Sequence, residues 1–118
     1  MCQHVGDAQL GHRLKHFCIP FAATDVILDP GFGFGKTLEQ NYLLLSRLGD
    51  FIRLFPSSPF LVGVSRKRMV WQLLGITPDE ALNGTTVLHT LALQAGAHIL
   101  RVHDVRAAVE AIIITSKL

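Results

Sequence analysis

Three times in this chain a short apolar run ends in a polar residue and gives way to a helical period, and few folds accommodate that grammar. Val26-Ile27-Leu28 ends at Asp29-Pro30-Gly31. Phe60-Leu61-Val62-Gly63-Val64 ends at Ser65, and Ile99-Leu100-Arg101-Val102 ends at His103-Asp104. Runs this short and apolar predict buried strands. After the first, Leu38, Tyr42, Leu45, Leu48, Ile52 and Phe55 recur at spacings of 3 and 4, one face of a helix. Thr37, with Gln40 three residues on, is a capping-box start. After the second strand, Ser65 is placed to cap a helix running to about Leu74 and stopped by Gly75. Thr77-Pro78-Asp79-Glu80 is a further helix start, and another helix is expected over about 85–94, ended by Gly96. After the third strand, Asp104 is placed to cap an apolar helix over Val105 to Ile114. Residues 1–16 read as a weak helix.

Alternating strands and helices imply an α/β fold with a parallel sheet and right-handed crossovers. Strand starts near 26, 60 and 99 lie 34 and 39 residues apart. That is close to the roughly 30 residues per unit of a (β/α)8 barrel of about 250 residues. Three units are under half a barrel, so the expected architecture is an incomplete barrel, either a fragment or a chain needing a partner. An open doubly wound sheet is the alternative. Composition agrees with strands buried on both faces: 49% of residues are hydrophobic and 17% charged. No run of 18 apolar residues suggests a transmembrane helix, and the first residues lack the apolar region of a signal peptide. A net charge of +2 without a basic stripe gives no reason to expect nucleic acid. Two cysteines, Cys2 and Cys18, make no disulfide framework, so a reducing cytoplasm is the default setting.

Polar residues close every strand: Asp29, then Ser65, Arg66 and Lys67, then Arg101, His103 and Asp104. In parallel α/β folds the carboxyl ends of the strands carry the site. Arg101 and His103 are two apart on a strand and share a face. On a buried face that pair needs an anion, and a phosphate or pyrophosphate suits an arginine fork. The alternative is an internal salt bridge, with Asp29 as its partner. Asp29 itself fits either a guanidine-like edge, such as that of a 2-amino-4-oxopterin, or a turn before Pro-Gly.

Gly31-Phe32-Gly33-Phe34-Gly35-Lys36-Thr37 fails the phosphate-loop spacing at Pro30 and the dinucleotide spacing at Lys36. It reads as a flexible loop whose Phe32 and Phe34 can wall a flat ligand, or as a turn with one phenylalanine in the core. Lys67, at a helix start, offers a charge and a donor, or is a solvated basic turn. His12 and His16 with Cys18 lack a fourth metal ligand, so no metal residue is assigned. His89 and His98 read as packing or surface residues, and Trp71 as core.

Asp29-Pro-Gly-Phe-Gly-Phe-Gly-Lys36, Gly63-Val-Ser-Arg-Lys67 and Arg101-Val-His-Asp-Val105 resemble three signature segments of dihydropteroate synthase, in order. Gly84-Thr85 and Gly96-Ala97 fit the pattern between them, and the resemblance covers about residue 20 to 118. It implies that residues 1–118 are the C-terminal portion of a pterin-binding domain, the last three β/α units of a TIM barrel. The family joins 4-aminobenzoate to 6-hydroxymethyl-7,8-dihydropterin diphosphate with release of pyrophosphate, and sulfonamides compete for the aminobenzoate site.

By resemblance, the pterin is bound by Asp29, Gly63, Lys67 and Arg101, and the diphosphate by Arg101 and His103. The aminobenzoate is bound by Phe34, Ser65 and Arg68. No covalent or acid–base residue is implied. Where many members carry serine, this chain has Arg68. Magnesium is implied as cofactor, but the asparagine linked to it belongs to the family's first five units, so no metal ligand carries over. A homodimer through the last helices is implied as well. The rival readings are a pterin-domain methyltransferase, which has no use for a diphosphate-holding pair, and a non-catalytic chain acting through subunit association.

Overall fold

The computed structural model describes residues 2–4 and 26–118. Their strands are β1 (Cys2–His4), β2 (Ile27–Asp29), β3 (Leu61–Val62) and β4 (Ile99–Leu100). Their helices are α1 (Leu38–Ser46), α2 (Leu48–Leu54), α3 (Arg68–Leu74), α4 (Leu82–Ala95) and α5 (Val105–Thr115). A single 3₁₀ turn, Pro78–Glu80, precedes α4. No described helix is long and apolar enough to cross a membrane.

The strands are parallel and neighbour each other in chain order. β1 pairs with β2 in the register Cys2↔Ile27, Gln3↔Leu28, His4↔Asp29. Leu28 bridges to Phe60, with the Leu28 N–H donating to the Pro59 carbonyl at 2.9 Å. β3 pairs with β4 through Leu61↔Ile99 and Val62↔Leu100. The reversal of strand order that marks a doubly wound sheet is absent among the described strands.

One sheet face packs under the helices. Val26, Leu28, Phe60, Val62 and Val64 are fully buried and meet Leu44, Leu45, Leu48, Phe51, Met69, Val70, Leu88 and Ala92. Each fully buried aliphatic or aromatic side chain stabilises by about 1.5–3 kcal/mol, so this layer supplies most of the folding drive. The opposite face carries Ile27, Leu61 and Ile99, none of them fully buried.

The three expected strands exist but are shorter. Residues 2–4 form a strand where a weak helix was expected, because their backbone pairs with β2; the rest of that expectation lies outside the described residues. The expected first helix is two, meeting at Arg47, whose N–H donates to both Leu43 and Leu44 carbonyls. Thr37 and Gln40 form the capping box that opens α1. Thr77 and Glu80 form another, but it opens a 3₁₀ turn, and α4 starts three residues before the expected 85. Ser65 caps nothing, and Asp104, though it is the N-cap residue of α5 as expected, makes no capping bond with its side chain. Both side chains are drawn into cross-loop bonds instead, and Lys67 occupies the N-cap position of α3.

Candidate functional site

The glycine loop after β2 is braced, not loose. Gly31, Gly33 and Gly35 all sit at positive φ, where a side chain is strained. The Asp29 carboxylate accepts the Gly31 N–H at 2.8 Å, so the turn role open to Asp29 is realised. Asn41, buried on α1, accepts the Gly33 N–H at 2.7 Å and donates to the Thr37 carbonyl at 3.0 Å. Lys36 Nζ donates to the Gly31 carbonyl at 2.7 Å. These bonds point the two phenylalanines apart. Phe32 is fully buried in the core, and Phe34 is 60% exposed. Only Phe34 is available to a ligand.

Lys67 joins this loop to β3. Its Nζ donates to the Phe32 carbonyl at 2.5 Å and lies 5.1 Å from the centre of the Phe34 ring. Burial pushes the ammonium below the ordinary lysine range; Asp29 opposes this, while Arg101 and Lys36 add to it. A Cβ built on Gly63 would stand 3.8 Å from both the Arg101 Cβ and Lys67 Nζ. Gly63 therefore lies between the Lys67 ammonium and the base of the Arg101 side chain. Asp29, Gly63, Lys67 and Arg101, from three strand ends, share one neighbourhood.

Arg101 and His103 are exposed in this chain, not buried as a strand face would be. β4 ends at Leu100, and both residues follow it. The salt bridge weighed for Arg101 is not formed among the described residues. That leaves the Arg101 guanidinium without a carboxylate partner among the described residues.

The loops after β3 and β4 are tied twice. Ser65 Oγ lies 2.8 Å from His103 Nδ1 and accepts the His103 backbone N–H at 3.2 Å. The Arg66 guanidinium grips Asp104 with two bonds, 3.0 Å from Nε and 2.6 Å from Nη2. Arg66 is the one described non-glycine residue at positive φ, and its N–H donates to Thr85 Oγ1 at 3.0 Å. The bond from Arg66 holds the Asp104 carboxyl below the usual carboxylate range, and the same bond raises Arg66.

An open cleft of about 740 Å³ lies on the other side of Lys67. Phe34, Arg68, Trp71, Gln72, Lys36 and Glu39 are among the residues that line it. Phe34 and Arg68, two of the three residues expected at an aminobenzoate, are on this wall, while Ser65 is buried outside it. Trp71 is half-buried: it packs against the core and also faces the cleft.

Sequence reasoning missed Asn41 and Thr85 as site residues, and it placed Arg66 and Asp104 at the strand ends without pairing them. A polar residue buried on α1, directly after a glycine loop, was the available sign for Asn41. His98 accepts the Phe60 N–H at 3.0 Å, and His89 is buried on α4. The weighed His12, His16 and Cys18 group lies outside the described residues. Among the described residues no three histidines, cysteines or carboxylates converge.

Comparison with known proteins gives the chain's relatives. The family described as pterin binding enzyme matches residues 11–103. The dihydropteroate synthase of Escherichia coli strain K12 is 51% identical over 90 residues, covering 76% of this chain and 31% of that protein. The crystal structure of Yersinia pestis dihydropteroate synthase superposes with a TM-score of 0.87 at 37% identity, covering 98% of this chain and 53% of that one. The Thermus thermophilus enzyme in complex with 4-aminobenzoate gives 0.75 at 42% identity, over 92% of this chain and 42% of that one. The chain thus spans about a third of the first curated relative's length and matches part of those structures. A family pattern covering most of the sequence, joined to strand-end residues gathered as described, places this chain in the dihydropteroate synthase family of pterin-binding enzymes.

Proposed function

We propose that residues 1–118 are the C-terminal portion of a pterin-binding domain, the last three β/α units of a (β/α)8 barrel starting at β2, with β1 from the unit before them. Their site serves the condensation of 4-aminobenzoate with 6-hydroxymethyl-7,8-dihydropterin diphosphate. The observation that carries this reading is the meeting of Asp29, Gly63, Lys67 and Arg101 at the ends of three neighbouring parallel strands. The chain-order sheet supports the barrel, because a barrel winds in one direction.

In this reading the pterin's guanidine edge donates to Asp29, whose second oxygen remains for it. Lys67 donates to the ring, and Gly63 keeps the floor open for a flat ligand. Arg101 covers the pterin and, with His103, takes the diphosphate. The methylene C–O bond breaks with its electron pair going to pyrophosphate. The neutral aromatic amine then forms the C–N bond and loses a proton to solvent. Stabilising the departing charge supplies the acceleration, so no covalent nucleophile is needed. On the other side of Lys67, Phe34 and Arg68 hold the aminobenzoate by ring contact and ion pair. Magnesium is the cofactor that the family resemblance implies, and no residue of this chain is assigned as its ligand.

The test is 4-aminobenzoate incorporation by the 118-residue chain with the pterin diphosphate and magnesium, with Lys67→Ala as control. Turnover lost in Lys67→Ala supports the reading. Absence of turnover, together with absence of pterin binding, removes it.

A second reading is favoured by α4 and α5. Val87, Leu91, Val105, Val109, Ile112 and Ile113 are exposed there. A chain with such a surface acts through association, as a homodimer through the C-terminal helices or as a non-catalytic subunit.

A further inference from the structure

We propose that Ser65 is a positioning residue whose hydroxyl holds His103 in the tautomer that carries its hydrogen on Nε2. Ser65 Oγ has two bonded neighbours, both from His103: the backbone N–H at 3.2 Å and ring Nδ1 at 2.8 Å. The backbone N–H can only donate, so it occupies a lone pair of Oγ and leaves the hydroxyl hydrogen to be placed. If Nδ1 carried a hydrogen, it too would donate to Oγ, and the hydroxyl hydrogen would have no acceptor. Ser65 is 6% exposed, and no other acceptor is bonded to it among the described residues. An unmade buried donor is costly, so the hydroxyl donates to Nδ1 and the ring hydrogen lies on Nε2.

Nε2 is on the far side of the ring from Ser65, and His103 is exposed. The residue therefore presents a fixed N–H donor to an anion without first taking up a proton. The identity of that anion as the diphosphate rests on the function proposed above. The Arg66–Asp104 pair joins the adjacent residues of the same two loops, which keeps Ser65 and His103 in register.

The experiment is a side-chain nitrogen spectrum of the ¹⁵N-labelled 118-residue chain above the histidine titration range, with inorganic pyrophosphate then added. His103→Gln assigns the resonances. The expected wild-type spectrum shows hydrogen on Nε2 and an Nδ1 resonance displaced by an accepted hydrogen bond. Ser65→Ala should lose that displacement and weaken pyrophosphate binding about tenfold, because the His103 N–H that bonds the charged anion is no longer held in place. Ser65→Thr, which keeps the hydroxyl, should restore both. Hydrogen on Nδ1 in the wild type overturns the proposal, as does a folded Ser65→Ala chain with Nδ1 unchanged. Should Ser65→Ala not fold, the wild-type spectrum decides. A wild type that takes up no pyrophosphate removes the functional reading, and the tautomer is still judged on the nitrogen spectrum.

Discussion

Lys67 is the side chain on which the two halves of the site meet. It stands between the glycine loop and the end of β3, with the cleft on one side and Gly63 and Arg101 on the other. Lys67→Met keeps most of the stem and removes the ammonium. The expected result is pterin binding weakened at least about tenfold, as for a lost hydrogen bond to a charged group. Thermal stability should move little, and calorimetric titration beside a melt measures both.

His89 makes the opposite prediction, on stability alone. It is 2% exposed, its Nε2 is buried without a partner among the described residues, and burial lowers its pKa while Asp104 opposes that. The unfolded chain then binds the proton first as pH falls below about 6.5, so stability drops from there toward the lower folded value. His89→Met should flatten that slope in urea titrations between pH 6.5 and 5, a range set by the unfolded value. An unchanged slope would show that another group is responsible. Asp104 has the same sign at a lower pH: bonded by Arg66, it stabilises above the ordinary carboxylate range and loses that contribution as pH falls through its folded value. Asp29, Lys67 and Arg101 were legible because polar residues ending apolar runs must face a site. Arg66 and Asp104 were legible as strand-end residues on the same ground, but their pairing was not, since no spacing rule links residues 38 apart across two loops.

At the scale of elements, close packing can outweigh propensity. Gly84 lies in α4, where alanine is favoured by about 1 kcal/mol. A Cβ there would come within 2.6 Å of Val70 Cγ1 and 3.0 Å of Leu74 Cδ1. Val70 is buried and cannot swing away, so the clash costs about 1–3 kcal/mol and wins. Gly84→Ala should lower the urea midpoint; a raised midpoint would mean that α3 moves freely. Asn41→Ala should cost about 1–3 kcal/mol, because the Gly33 N–H loses its acceptor. Faster proteolysis within residues 31–37 would report the opened loop.

Periodicity located every helix, and the Thr37 box located one start to the residue. It did not find the break at Arg47, where the apolar stripe continues through Leu48 while the backbone turns. The cap expected at Ser65 falls at Lys67, and Asp104 holds its N-cap position without a side-chain bond, because a capping side chain and a cross-loop partner are the same residue type.

For the molecule as a whole, the prediction concerns association. Ile113 is 57% exposed and Val109 45% exposed on α5. Ile113→Glu should shift sedimentation toward the 13.0 kDa chain. An unchanged distribution would place the contact elsewhere. The three signature segments were legible because each keeps its residues consecutive. The share of the barrel represented was only bounded, since a strand as short as Cys2–His4 carries no periodicity to read.

The ties from Ser65 to His103 and from Arg66 to Asp104 also set an order of events. Each closes a loop of 38 residues that contains α3, the 3₁₀ turn, α4 and β4. Loop-closure entropy must be met before such distant contacts form, so they arise late, after the intervening helices have docked. A partly folded chain can already hold its hydrophobic layer and its glycine turn, yet it has no anion-binding end. Ligand affinity is therefore a stricter gauge of complete folding in this chain than helix content.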